Sequence, residues 1–333
     1  MAFWFLNAGS QGDSIRGPLH GIPIFVKPRA NAHVVDLLLK AGAIILGKTN
    51  LSNPGGSSSS SAVAVSTGYA PYALGTETDG SLICPAGRAV LYTTKPTVGL
   101  VSQKGVVPIS GHFDLVGPMT KTMHDIAVLL NDTSVAVLDP KKWRFITNMI
   151  APLPGAEEQM NREIWGAYMK IKAKALTHID LPGRDALNLI KGNIKGIVIL
   201  TDYKTDLNPY LEDLEESDVR SLENIIRFNI ENALQEFPGH APNQDRCMRA
   251  LTQDLSPEDH APCLDHLRHG SRMGLDVITG PLVAGFSMTT FSISGYPIAG
   301  MPLSCLDCNG RPFGATTMAT REREDVLVKV MSA

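Results

Sequence analysis

Between positions 31 and 41 the sequence NAHVVDLLLKA places Val34, Val35, Leu38 and Leu39 at helical spacing, and Gly42 ends the run. The next four residues, Ala43-Ile44-Ile45-Leu46, are continuously apolar and predict a short buried strand. Upstream, Gly17 to Lys27 (GPLHGIPIFVK) holds two prolines and two glycines ahead of an apolar run, which predicts a turn entering another buried strand that Lys27 closes. Strand, helix, strand is the unit from which parallel sheets covered by helices are built.

From Pro54 to Pro85 the chain is rich in small residues yet patterned, and Ala62 to Val65 continues as a close-packed helix. A further helix is predicted near Thr122 to Leu130 (TMHDIAVLL). In the second half the reading is a Lys/Glu/Ala-rich helix near 157–175, an apolar strand at Ile197 to Leu200 and a charged amphipathic helix near 209–236. Tyr296 to Ser304 and Phe313 to Ala319 read as paired strands around a turn containing Asn309 and Gly310, and residues 321–332 as a closing helix. With no repeat and no linker, one α/β domain over residues 1–333 is expected.

Composition narrows the class. Hydrophobic residues at 44% and charged residues at 19% fit a folded globular chain. A net charge of −3 with interspersed signs gives no basic face for nucleic acid. Five scattered cysteines make no disulfide framework, so free thiols and a cytoplasmic location are expected. The opening Met-Ala-Phe-Trp-Phe-Leu lacks a basic leader and a cleavage site, and no stretch reaches the roughly 18 apolar residues of a membrane span, so no membrane partner is expected. Oligomeric state is open.

Gly42 to Thr49 (GAIILGKT) satisfies the spacing of a phosphate-binding loop. Its middle residues belong in a buried strand and its helix precedes it, whereas a phosphate loop needs a flexible turn with a helix following. The serines at 57–61, taken alone, read as a helix start. Gly55 and Gly56 before them, and Ser81 24 positions after Ser57 behind Thr78-Asp79-Gly80, make two serine-bearing turns in one compact segment. Asp259, His260, Cys263, His266 and His269 share helical spacing and Cys305 pairs with Cys308, but the first set reads as a solvated helix face and the second as a hairpin end. No metal is assigned.

The blocks GPLHGIPIFVK, GAIILGKTNLS, PGGSSSSSAVAV, GTETDGSLICPA and KPTVGLVSQKGVVPIS occur in the order of, and resemble, the amidase-signature family. The likeness is dense from about 17 to 130 and returns at GYPIAGMPL and NGRPFG; its wording is closest to the fungal and bacterial general amidases. The resemblance implies a central mixed, twisted β-sheet covered by helices on both faces. It implies Ser81 as nucleophile, Ser57 as a bridging serine after a non-proline cis peptide, and Lys27 as base. It also implies an oxyanion-holding turn made by the backbone N–H groups of Thr78, Asp79, Gly80 and Ser81.

Such chemistry has its own logic. A serine hydroxyl needs a base to take its proton, and a lysine can be that base only when neutral, a state that burial beside Ile24-Phe25-Val26 favours. The implied reaction is hydrolysis of a small-molecule carboxylic amide to acid and amine or ammonia through an acyl-serine, with no cofactor. Pro28 stands where the family has an aspartate, the segments after Lys27 and before Pro54 are shortened, and Ile83 replaces a frequent arginine. The alternative readings are a pseudo-amidase and a glutamyl-tRNA amidotransferase A-type subunit.

Overall fold

The computed structural model describes residues 17–27, 32–50, 56–133, 158–160, 162, 163, 166, 194–237, 239, 243–253, 255–273, 282–284 and 294–332. Its centre is an eight-stranded sheet: β1 (Pro23–Val26), β2 (Ile44–Lys48), β3 (Tyr72–Glu77), β4 (Tyr92–Lys95), β5 (Leu115–Thr120), β6 (Leu282–Ala284), β7 (Ile298–Cys305) and β8 (Pro312–Met318). The spatial order is β2-β1-β3-β5-β4-β7-β8-β6. β1 is parallel to β2 and β3, and the remaining pairs are antiparallel, so the sheet is mixed.

Alternation along the strands sends side chains to two covered faces. Ile24, Val26, Tyr72, Leu74 and Val116 join α1 (His33–Lys40) and Leu129 of α4 (Met123–Thr133) on one face. Ala73, Leu115 and Met119 turn the other way, onto α2 (Ser59–Ser66) and α3 (Ile83–Arg88). The closing helix α10 (Glu324–Met331) packs Val326, Leu327 and Met331 with α4 against Ala299 of β7. In β1 and β2 the register slips, with Ile24 opposite Ile45 and Phe25 opposite Gly47. The GAIILGKT stretch therefore spans an edge strand that follows a helix.

The second half departs from the sequence reading. Ile197 to Leu200 is not a strand; it lies inside α5 (Ile194–Glu212), where Thr201 Oγ1 bonds the Ile197 carbonyl one turn back at 3.0 Å. An apolar quartet has no period of its own, and here Val198 packs with Phe113, Leu264 and Leu267, while Leu207 and Leu211 face Leu222 and Ile226. The expected helix over 209–236 is three pieces: the end of α5, then α6 (Leu222–Glu231) and α7 (Ala233–Glu236). The break falls in the polar stretch after 212, and α6 restarts where Ser221 Oγ accepts the Asn224 N–H at 3.2 Å, an N-cap. Two further helices, α8 (Asp245–Thr252) and α9 (Pro257–Met273), pack on α5. Of the helix expected over 157–175, residues 158–160, 162, 163 and 166 are helical and the others lie outside the described residues. Among the described residues no helix is long and apolar enough to cross a membrane.

Gly75 of β3 faces Gly117 of β5 across the ladder. A Cβ at Gly117 would lie 2.2 Å from the Thr94 carbonyl oxygen and 2.5 Å from Leu82 Cδ2, so Gly117→Ala is expected to cost about 1–3 kcal/mol in urea unfolding. Gly47→Ala, whose Cβ would meet Phe25 Cε1 at an ordinary 3.5 Å, is the control and is expected to stay within about 0.5 kcal/mol of the parent.

Candidate active site

Lys27 prolongs β1 by one residue, its N–H donating to the Leu74 carbonyl at 3.2 Å. Alternation places it with Phe25, on the α2 and α3 side of the sheet, where it is 8% exposed. Its Nζ donates to Ser57 Oγ at 2.8 Å and to Ser58 Oγ at 3.2 Å. Burial drives its pKa down to about 8, against the opposing pull of Asp114 and Glu77. Residues 28–31, including Pro28, and residues 51–55 lie outside the described residues.

The two serine turns are built against each other. Ser58 N–H donates to the Ser81 carbonyl at 3.0 Å, and a Cβ on Gly56 would collide with Pro85 Cδ at 2.5 Å. Gly56, with φ of 109°, reverses the chain there. The cis peptide implied before Ser57 is not found: among the described residues no peptide bond is cis. Trans is the ordinary state of a non-proline bond.

Ser58 is fully buried, and nothing in the sequence singles it out. Its hydroxyl donates to the Thr76 carbonyl at 2.9 Å and accepts the Thr76 N–H at 3.1 Å as well as Lys27. A run of five serines offers no signal as to which one is buried.

Ser81 opens the other turn. Its hydroxyl has no hydrogen-bond partner among the described residues, so the structure joins Lys27 to Ser57 by side chains but Ser57 to Ser81 only through the backbone of Ser58. Nor does the Ser81 side chain cap α3. The buried Glu77 carboxylate does so, accepting the N–H groups of Leu82 at 2.7 Å and Ile83 at 3.0 Å. The N–H groups of Leu82, Ile83 and Gly80 all favour the charged form of this carboxylate. The N–H groups of Thr78, Asp79 and Ser81 have no acceptor among the described residues. Burial raises the Glu77 pKa, opposed by these N–H donors and by Lys95, itself fully buried.

Asp114 completes the surroundings. One oxygen accepts the Thr78 hydroxyl at 2.5 Å; the other accepts the N–H groups of Ile109 at 2.7 Å and Ser110 at 2.8 Å. Burial lifts its pKa to about 6, opposed by those three bonds. Neither Glu77 nor Asp114 stands out in the sequence, since each is a single acid whose partners emerge only on folding.

The donors read along one helix, Asp259, His260, Cys263, His266 and His269, do not converge. His260 turns inward to meet Asp202 at 2.6 Å and Cys263 packs beside Val198 and Leu267, which corrects the reading of that segment as a solvated face. Among the described residues His112, Asp202 and His260 bring ligand atoms within 4.8 Å of one another. Arg268 Nη2 stands 3.3 Å from His112 Nδ1 and already supplies a cation there. Cys305 and Cys308 are exposed and unpaired at the hairpin end.

Comparison with known proteins places this geometry. The family model for amidases matches residues 52–151. An amidase-like protein of Schizosaccharomyces pombe is 28% identical over 96% of this chain and 74% of its own length. The native peptide amidase of Stenotrophomonas maltophilia superposes with a TM-score of 0.83 at 26% identity, over 95% of this chain and 82% of its own. The chain is similar to the amidase-signature enzymes, in the family match over residues 52–151 and in fold. Its alignment with the S. pombe protein runs over 435 positions although the chain has 333 residues, so that relative carries long segments without counterpart here. The A-type subunit of glutamyl-tRNA(Gln) amidotransferase from Methanosarcina mazei is 38% identical, but over only 34% of each chain. Against the amidase-signature background, α5 is notable for lying outside the matched residues while touching the turn ahead of Ser81.

With its pKa near 8, Lys27 is expected to titrate more than two units below an ordinary lysine when followed by NMR of the labelled amine. Asp114→Asn removes a charge that favours the ammonium form, so the midpoint should move lower still. An unshifted or raised midpoint in Asp114→Asn would contradict the assigned coupling.

Proposed function

We propose that this chain hydrolyses a carboxylic amide to acid and amine or ammonia through an acyl intermediate on Ser81. The observation that supports this most is the buried Lys27 amine 2.8 Å from Ser57 Oγ, beside a turn that Ser58 ties to Ser81. The neutral amine takes the Ser57 proton as Ser57 takes that of Ser81. Ser81 Oγ adds to the carbonyl carbon, and the oxyanion settles on the N–H groups of the turn formed by Thr78, Asp79, Gly80 and Ser81. Ser57 then returns the proton to the leaving nitrogen, and water entering by the same route releases the acid and frees Ser81. The cycle uses no cofactor.

A small-molecule amide is the proposed substrate, with peptide amides first to be tried because of the likeness to a peptide amidase. The free cysteines favour the cytoplasm as its location. A fold that keeps the site without turnover is the competing reading, favoured by the missing segments and by the unbonded Ser81 hydroxyl.

A fluorophosphonate probe decides between them. It should modify Ser81 in the parent and nothing in Ser81→Ala, and Lys27→Ala should slow the reaction about 10²–10⁴-fold. Because the base must be unprotonated, the labelling rate should climb through pH about 8 and level above it. A folded parent protein that takes no probe, and forms no acyl-enzyme with a panel of amides and esters, would establish the inactive reading.

A further inference from the structure

Helix α5 carries three charged side chains that meet the turn ahead of Ser81 or the nearby loop at residues 110 and 111. Lys195 forms an ion pair with Asp79, in the turn ahead of Ser81. Asp202 accepts the Ser110 hydroxyl through one oxygen and meets His260 through the other. Asp206 accepts the Gly111 N–H at 2.8 Å. Steps of seven and then four residues return to one side of a helix, so all three address the same surface.

That surface is the oxyanion turn and the loop that braces it. Ile109 and Ser110 give their N–H groups to one oxygen of Asp114, and the other oxygen receives the Thr78 hydroxyl. Besides the Ser58 bond to the Ser81 carbonyl, the turn 78–81 is thus held from the side of α5 at two points, directly through Asp79 and indirectly through Thr78, Asp114 and residues 109–111. Both lines end on α5. Asp202 is 4% exposed, and a carboxylate so placed is costly to desolvate compared with an apolar residue of similar size. It bridges two segments with fixed geometry.

We propose that α5 is a clamp that sets the position of the oxyanion turn, with Asp202 as its central positioning residue and Lys195 as its outer one. The kinetic part of this proposal rests on the amidase reading above; the structural part does not. The clamp acts on the placement of donor N–H groups, so loosening it lowers the rate at saturation and leaves capture of the probe unchanged. A shift of about 1 Å in such donors can cost a hundredfold.

The test uses the full chain with Asp202→Asn and Lys195→Met. Two quantities are measured: the kinetics of fluorophosphonate labelling at Ser81, and hydrogen exchange at residues 76–84 by mass spectrometry. In each variant the maximal labelling rate should fall about tenfold or more, with the final stoichiometry and the half-saturating probe concentration unchanged, and exchange at 76–84 should quicken. Exchanging the pair, Lys195→Asp with Asp79→Lys, should recover part of the rate lost in Lys195→Asp alone. Parental labelling kinetics and parental exchange in both folded variants would overturn the proposal. If the parent itself takes no probe, the amidase reading fails separately and exchange alone decides the clamp. If Asp202→Asn does not fold, the more peripheral Lys195→Met carries the decision.

Discussion

Leu82 occupies the space left where Gly75 and Gly117 face each other across β3 and β5, its two methyl carbons lying 2.6 and 2.5 Å from where their Cβ atoms would be. The same absence of a side chain at Gly75 lets Ser58 approach β3, 2.9 Å from the position a Cβ would take. Both serine turns are therefore seated in one notch, Ser57 through its neighbour Ser58 and Ser81 through its neighbour Leu82. The chemistry-bearing hydroxyls need no rigid contacts of their own, because the adjacent residues are close-packed.

The second determinant is charge held out of water. Lys27 is buried far enough for its amine to lose a proton near neutral pH, yet Asp114 and Glu77 stop it from falling further. Glu77 meanwhile has a structural task, closing the first turn of α3 with N–H bonds that a serine at position 81 would otherwise have been expected to make. Among the described residues the Ser81 hydroxyl has no hydrogen-bond partner. One buried acid thus shapes both the backbone behind Ser81 and the electrostatics around Lys27.

Much of this is legible in the sequence because local pattern and tertiary position agree there. The strand, helix and strand of residues 23–48 and the terminal hairpin follow their hydrophobic periods, the helix after Ser58 follows its run of small residues, and the blocks around Ser57 and Ser81 fall within the residues that match amidases. Residues 197–200 fail for a physical reason: four apolar residues fit a strand or a helix equally, and only packing against Phe113, Leu264 and Leu267 chooses. Ser58, Glu77, Asp114 and Asp202 escape a sequence reading because their partners are brought in by folding. Asp202 meets a serine 92 positions away, beyond the reach of any local motif.

A single residue at the sheet's edge has an effect out of proportion to its size. Ile45 packs on the α1 side, whereas Gly47 lies beside Phe25 on the other, so the slip between β1 and β2 has inverted the phase of the strand. Thr49 consequently points toward α2, where its hydroxyl meets that of Ser61 at 2.9 Å, and Ser61 in turn bonds the Leu74 carbonyl at 2.9 Å. Were β2 to alternate regularly from Ile45, four steps would carry Thr49 to the α1 side and aim it away from α2. The helix that follows Ser57 would then lose its tie to the edge strand, although no residue near the lysine had been touched.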